Sequence, residues 1–220
     1  GSIEDAVTGA MMGIFFNQGE VCCAGSRLFV EAPLHDRFAE ALTKHAATLK
    51  QDPGLDPKTQ VGPLVSKEQF ERVTGYLESG KREGAKPTTG GEANRAPGLE
   101  RGWFVKPTVF TGVKNDMCIA REGIFGPVVA VIPFKDENDA VLQGNDTLYG
   151  LAAGVWTQNV QKAHRVARAI RAGTVWVNCY NVFDAALPFG GYKQSGFGRE
   201  LGERALELYT ENKSVWIDLT

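Results

Sequence analysis

The sequence predicts an α/β domain of three layers, in which a mainly parallel sheet is covered by helices on both faces. Two observations carry this prediction. Short runs rich in Val, Ile, Phe and Trp alternate with segments of helical apolar spacing, as expected for parallel strands joined by helical crossovers. The 220 residues are 43% hydrophobic and 23% charged, which is enough to bury a full core.

An amphipathic helix is predicted at the start of the chain. Apolar residues recur at helical spacing from Ile3 to Phe15, and Ser2 forms a capping pair with Asp5, three places later. Gly1 and Ser2 also resemble the remnant of a cleaved tag. We therefore interpret the chain as a domain excised from a longer protein.

A Gly-rich connection, residues 19–27, joins this helix to an apolar strand at residues 28–30. Helices are predicted next at residues 36–50 and 67–83, because each segment places its apolar residues on one face. Residues 86–101 contain several Gly and Pro and few apolar residues, which predicts a surface excursion.

The second half supplies most of the predicted sheet. The predicted strands are residues 105–110, 128–133, 151–156 and 173–178, and the predicted helices are residues 137–144 and 160–172. The main domain would therefore comprise residues 1–196. Residues 197–213 would add a helix, at 198–209, and a linker. Residues 214–220 would form a terminal strand, because 214–219 alternate and lack a partner within the domain, so we expect them to pair with another subunit.

Composition excludes several classes of partner. The net charge is −2 without a basic block, which argues against nucleic acid and anionic membranes. No apolar run reaches the roughly 18 residues of a membrane span, and the start of the chain lacks a secretory signal pattern, so we expect a cytoplasmic protein. The four cysteines do not show disulfide or zinc spacing, so we expect free thiols and no metal site.

Five segments, in order along the chain, resemble the aldehyde dehydrogenase superfamily, and within it the broad-substrate NAD-linked branch. They are residues 15–27 (FFNQGEVCCAGSR), 121–128 (REGIFGPV), 149–155 (YGLAAGV), 173–178 (GTVWVN) and 188–196 (PFGGYKQSG). Five ordered matches make coincidence very improbable. The resemblance implies that residues 1–196 are the catalytic domain of an enzyme that oxidises aldehydes to carboxylic acids.

The resemblance also implies roles for the two adjacent thiols and for the residues that contact the cofactor. Cys22 matches the nucleophile, which adds to the aldehyde to give a thiohemiacetal and then a thioester. The alternative for Cys22 is a core thiol. Cys23 would be a bystander beside the substrate. Phe125 matches an aromatic residue near the nicotinamide, whereas Gly123 stands where the family has a glutamate that holds the nicotinamide ribose. Natural drift and deliberate substitution both remain open for Gly123.

The family's substrate tunnel is matched by residues 178–183 and 188–189. Phe183 and Phe189 would line it, with an ordinary core role as the alternative. Asn178 would face the substrate, unless its side chain only satisfies the backbone of a turn. The family's general-base glutamate, oxyanion-stabilising asparagine and cofactor-binding domain precede the matched region. We therefore expect NAD or NADP in the full-length parent and none bound by this chain, with a small aldehyde, the missing cofactor domain and further copies of the chain as partners.

Two other classes of function remain open. A stand-alone thiol hydrolase could act through Cys22, although the three histidines fall on predicted helices away from the motifs, so no Cys–His pair is evident. A non-catalytic scaffold is favoured by the trimmed start and by Gly123. Acylating dehydrogenases that use coenzyme A are disfavoured by the motif resemblance.

Overall fold

The computed structural model describes residues 2–220, so Gly1, half of the predicted tag remnant, lies outside the described residues. The strands are β1 Arg27–Glu31, β2 Lys86–Thr89, β3 Thr108–Thr111, β4 Val128–Phe134, β5 Ala152–Val155 and β6 Thr174–Val177. The α-helices are α1 Ile3–Phe15, α2 His35–Ala47, α3 Lys67–Arg82, α4 Cys118–Arg121, α5 Glu137–Asn145 and α6 Val160–Ala169.

Two sheets carry the fold. The first has four strands in the order β1-β4-β3-β2, in which β4 runs parallel to both β1 and β3 and β2 is antiparallel to β3. The second pairs β5 with β6 in parallel, and α6 packs against both. This arrangement confirms the predicted α/β class with a mainly parallel sheet.

Strand β4 is the centre of the core because its two faces pack against two different helical layers. Val129 and Val131 join the apolar cluster formed with α1 and α2. Val128, Ala130 and Ile132 join the cluster formed with α3 and α4. Successive side chains of a strand point to opposite faces, so a continuous apolar run is what a strand buried on both sides requires.

Helix α1 begins as the sequence predicts. The Asp5 backbone N–H donates to Ser2 Oγ at 3.1 Å, and the Ser2 backbone N–H donates to an Asp5 carboxylate oxygen at 3.1 Å. This reciprocal capping box satisfies donors that the first turn leaves free. The helix ends at Phe15, after which Asn17 and Gln18 adopt left-handed φ values of 48° and 56°. The chain is thereby turned toward the segment that carries Cys22.

The surface excursion predicted over residues 86–101 begins with strand β2, residues 86–89, which the sequence did not predict. The segment reads Lys-Pro-Thr-Thr and is mostly exposed, so it lacks the apolar pattern that indicates a strand. It pairs on one side only, with β3, and its register shifts between Pro87 and Thr89. An edge strand tolerates proline, which has no N–H to donate.

The C-terminal helix predicted over 198–209 is not α-helical. A 3₁₀-helix spans Glu203–Tyr209, and its Leu206 and Leu208 side chains are 64% and 59% exposed. Without apolar packing, a short helix gains little stability. Residues 214–219 pair with no strand of the described chain, and Trp216 is 97% exposed. Their pairing with another subunit stays a prediction. Among residues 2–220, no helix combines the length and apolar character that crossing a membrane requires.

Candidate active site

Cys22 lies in a tight turn between α1 and β1. The turn is closed by the Ala24 N–H, which donates to the Val21 carbonyl at 3.0 Å, and it is tied to α1 by the Gly25 N–H, which donates to the Gly13 carbonyl at 2.9 Å. The Cys22 side chain is exposed. A reagent in solution can therefore reach its thiol, as a nucleophile requires and a core thiol does not allow.

Cys23, the next residue, is only 5% exposed. Burial, and then the neighbouring Cys22, raises the pKa of the Cys23 thiol to about 11. At pH 8, roughly one Cys23 thiol in a thousand would be ionised by that pKa, and the thiolate is the reactive form. These properties support the bystander role for Cys23.

The loop that carries Gly123 and Phe125 packs against the chain segment that immediately precedes Cys22. Gln69 of α3 holds it by donating from Nε2 to the Phe125 carbonyl at 2.7 Å. A Cβ added to Gly19, three residues before Cys22, would lie 2.1 Å from the Gly126 carbonyl oxygen. This close backbone approach, together with a φ of 74°, is why position 19 requires glycine. The Phe125 side chain is 46% exposed, so it offers an apolar face to a ligand.

Position 123 has room for a side chain. A Cβ added to Gly123 would meet only Tyr149 Oη, at 3.9 Å, and the Gly123 carbonyl accepts a hydrogen bond from Arg72 at 2.9 Å. We expect Gly123→Glu to change the free energy of unfolding by less than about 0.5 kcal/mol in urea denaturation, as surface substitutions usually do.

Gly126→Ala is the matched contrast for this prediction. A Cβ there would lie 2.6 Å from Val73 Cγ2 in the core, so we expect a loss of about 1–3 kcal/mol from overpacking. If Gly123→Glu cost as much as Gly126→Ala, the space at position 123 would be unusable.

Phe183 and Phe189 meet edge to face. Their ring centroids are 5.2 Å apart at 80°, and Phe183 contacts Trp176 in the same way at 5.5 Å. Phe183 is 50% exposed, so this aromatic cluster is not ordinary core. The loop that carries this cluster reaches the turn of Cys22 and Cys23, since Tyr180 Oη donates to the Cys23 carbonyl at 2.7 Å.

The side-chain amide of Asn178 forms two hydrogen bonds to the backbone of Thr157. Its Oδ1 accepts from the Thr157 N–H and its Nδ2 donates to the Thr157 carbonyl, both at 2.9 Å. Its φ is 56°, a left-handed conformation that asparagine tolerates well. The amide group is thus occupied in joining two loops, which fits the alternative role, and a contact between Asn178 and the substrate stays a prediction.

The C-terminal end of α5, which sequence reasoning missed, gathers three cationic side chains. The last carbonyls of a helix lack partners and carry partial negative charge, which favours cations there. Five consecutive carbonyls, 143–147, accept hydrogen bonds: from Arg27 at Gln143 (3.0 Å) and Gly144 (2.9 Å), from Lys193 at Asn145 (2.7 Å) and Thr147 (3.1 Å), and from Arg121 at Asp146 (2.8 Å).

Each of these cations belongs to a different segment of the site. Arg27 ends the segment that carries Cys22, Arg121 precedes Gly123, and Lys193 follows Phe189. The end of α5 therefore fixes the three segments relative to one another. All three cations lie inside the matched motifs, but their partners in residues 143–147 lie outside them, so no motif pointed to this contact.

Replacing Arg27 is expected to be costly. Its guanidinium also donates to Asn115 Oδ1 at 2.9 Å, and burial lowers its pKa. Because Arg27→Met removes three hydrogen bonds from a charged donor, we expect the free energy of unfolding to fall by about 3 kcal/mol in urea denaturation. Arg37→Met, at an exposed position of α2, is the control and should change it by under about 0.5 kcal/mol. A loss at Arg27 no larger than at Arg37 would contradict this role.

Comparison with known proteins places these features in a family. The aldehyde dehydrogenase family model matches residues 2–215. A Bacillus cereus aldehyde dehydrogenase, solved as its NAD⁺ complex, is 52% identical, has a TM-score of 0.95, and is matched over 100% of this chain and 44% of its own. Betaine aldehyde dehydrogenase of Mesorhizobium japonicum is 48% identical over 98% of this chain and 44% of its own length. Mitochondrial aldehyde dehydrogenase of Mesocricetus auratus is 48% identical over 96% of this chain and 42% of its own length.

These matches agree with the order of elements and with the five sequence motifs. The chain spans less than half the length of each of these relatives. Within residues 2–220, no cluster of three or more His, Cys, Asp or Glu side chains could hold a metal ion. The chain belongs to the aldehyde dehydrogenase family.

Proposed function

We propose that the protein to which this chain corresponds oxidises aldehydes to carboxylic acids with NAD or NADP, and that Cys22 is the nucleophile. The observation that carries the proposal is the contrast between two adjacent thiols. Cys22 is exposed in a tight turn, whereas Cys23 is buried with a raised pKa. The NAD⁺ complex of the Bacillus cereus relative supports the cofactor class.

The proposed chemistry needs a thiolate at Cys22. Its sulfur forms a C–S bond to the aldehyde carbonyl carbon, and the resulting thiohemiacetal loses a hydride to become a thioester. Water then cleaves the C–S bond, which releases the acid and regenerates the thiol. A bound nicotinamide supplies the hydride acceptor.

The residues of this chain fit such a cofactor in part. The half-exposed ring of Phe125 would face the nicotinamide, and the loop that carries it is held by Gln69 beside the nucleophile turn. Gly123 provides open space in place of the family's ribose-binding carboxylate. In a full-length parent, Gly123→Glu would therefore tighten cofactor binding.

The substrate we propose is a small uncharged aldehyde. Phe183 and Phe189 form a partly exposed aromatic wall, which suits an apolar organic group and excludes water from it. Because the reaction needs a reduced thiol and the four cysteines are free, we propose the cytoplasm as its location.

Three measurements distinguish this proposal from its alternatives: ester hydrolysis and NAD affinity of this chain, and aldehyde oxidation by the full-length parent. Ester hydrolysis that depends on Cys22, without affinity for NAD, would fit either a thiol hydrolase or this chain acting without the rest of its parent. Aldehyde oxidation by the full-length parent separates those two. Absence of both activities from the parent would favour a scaffold.

We also propose that the terminal segment, residues 214–220, contacts a second copy of the chain. Val215 and Ile217 would face one way in an extended strand, and they are 71% and 75% exposed in the single chain. We expect deletion of residues 214–220 to lower the mass measured by light scattering from that of an oligomer toward that of one chain. Retention of the oligomer's mass after the deletion would show that this segment is not the contact.

A further inference from the structure

The nucleophile turn contains two chemically identical groups in adjacent positions, and only one of them is exposed. Cys22 and Cys23 both lie in the turn that runs from Val21 to Ala24. Because the two thiols are adjacent, the orientation of this turn determines which of them is exposed. Something in the fold must therefore hold the turn in one orientation.

Tyr180 contacts the turn at the backbone of Cys23. Its hydroxyl donates to the Cys23 carbonyl at 2.7 Å. Burial raises the pKa of Tyr180, so the hydroxyl remains a neutral donor. The ring lies 4.7 Å from that of Trp176 and stacks at 6.3 Å on that of Trp156, measured between centroids. Two tryptophans thus fix the position from which the hydroxyl donates.

Three glycines lie around the Tyr180 ring, and one of them, Gly154, leaves space that a larger residue would fill. A Cβ added to Gly154 of β5 would lie 2.7 Å from its Cδ2, and one added to Gly13 of α1 would lie 3.4 Å from its Cδ1. A Cβ on Gly25, just after the turn, would lie 3.5 Å from the hydroxyl oxygen. The ring therefore sits in a recess shared by α1, β5 and the turn itself.

Asn181 contacts the same cysteine at its side chain. Its Oδ1 accepts a hydrogen bond from Cys23 Sγ at 3.4 Å. Asn181 adopts a φ of 56°, a conformation that asparagine and aspartate tolerate better than most residues. Consecutive residues of one loop therefore hold Cys23 by its carbonyl and by its thiol.

We propose that Tyr180 and Asn181 form a clamp on Cys23 that decides which of the two adjacent thiols reacts. By keeping Cys23 buried, the clamp fixes the turn so that Cys22 faces the solvent. Tyr180 is a positioning residue, because its hydroxyl bonds to the Cys23 backbone and its effect on Cys22 would come through the turn. The proposal rests on the proposed function only for the importance of Cys22, since the selection between thiols can be measured without any enzyme activity.

The test compares Tyr180→Phe with the unaltered chain. Each protein is treated with iodoacetamide at pH 8, and mass spectrometry measures the alkylation rates of Cys22 and Cys23 separately. Tyr180→Phe removes one hydrogen bond and keeps the ring. We expect the rate at Cys23 to rise by about 2- to 12-fold, the ratio that corresponds to the net contribution of one hydrogen bond. Tyr209→Phe, at a tyrosine that is 84% exposed, is the matched control and should change neither rate.

Cys118, which is far along the chain and partly buried, reports general loosening of the fold. An equal rise at Cys23 and Cys118 in Tyr180→Phe would mean that Tyr180 only stabilises the domain, and would overturn the proposal. An unchanged rate at Cys23 would overturn it as well. Asn181→Asp keeps both the acceptor oxygen and the tolerance for positive φ, so Cys23 should stay protected there. If Cys22 of the full-length parent proved inert toward both esters and aldehydes while Tyr180→Phe still released Cys23, the proposed function would fail and the clamp would stand.

Discussion

Ester hydrolysis by the 220-residue chain is expected to fall to the rate of buffer alone in Cys22→Ala, and to persist in Cys23→Ala. An activated ester such as p-nitrophenyl acetate acylates a thiolate directly, so its hydrolysis reports the nucleophile without a cofactor. Cys22 is the exposed thiol of the turn, and Cys23 is buried beside it. Removing the nucleophile removes the covalent pathway altogether, whereas Cys23→Ala keeps the backbone carbonyl that Tyr180 holds.

We expect the starting rate for that comparison to be low. The resemblance implies that the family's general-base glutamate precedes the region that this chain matches, and general-base assistance is typically worth about 10²–10⁴-fold. Burst measurements of nitrophenol release therefore give the clearest reading, because acylation of Cys22 precedes the slow hydrolysis of the thioester. Equal loss of the burst in Cys22→Ala and Cys23→Ala would contradict the assignment of a single nucleophile.

Much of the fold could be predicted because the apolar residues of its central strands and helices mark the faces that are buried. Strand β4 is apolar on both faces, which is the pattern of a strand between two layers. Helix α3 begins at the Ser66 cap and buries Phe70, Val73 and Leu77 on one face. In these segments the local pattern and the tertiary environment agree.

Elements without such a pattern escaped prediction. Strand β2 is exposed and contains proline, so only its pairing with β3 identifies it. The segment 198–209 leaves its Leu206 and Leu208 side chains 64% and 59% exposed, and it forms a 3₁₀-helix over Glu203–Tyr209 instead of an α-helix. In both segments the secondary structure depends on tertiary contacts, which a local sequence pattern does not reveal.

The site could be predicted only as far as its motifs extend. The motifs point to Cys22, Phe125, Phe183 and Phe189, but not to the contacts that hold their segments in place. The cations at the end of α5 and the bond from Tyr180 to Cys23 join residues more than a hundred positions apart or outside any motif. Asn178 lies inside a motif, but the motif does not predict that its side chain joins two loops by bonding to the backbone of Thr157.

The largest effect is expected in dehydrogenase turnover: the 220-residue chain, with aldehyde and NAD or NADP, should form no measurable NADH or NADPH. Hydride transfer requires the nicotinamide to be held about 3–3.5 Å from the reacting carbon, and well-oriented contact of this kind is worth about 10⁵–10⁸ M in effective concentration. This chain contributes Phe125 on an open loop and glycine at the ribose position, and it spans 44% of the relative solved with NAD⁺.

Absorbance at 340 nm measures this directly, with NAD affinity from titration calorimetry on the same sample. Gly123→Glu in this chain should not restore turnover, because a single ribose contact cannot hold a whole dinucleotide. A full-length parent that carries the same Cys22 segment is the positive control and should form NADH. Sustained NADH formation by the 220-residue chain, lost in Cys22→Ala, would mean that these residues alone bind and orient the nicotinamide, and that the part of the relatives beyond this chain is dispensable for hydride transfer.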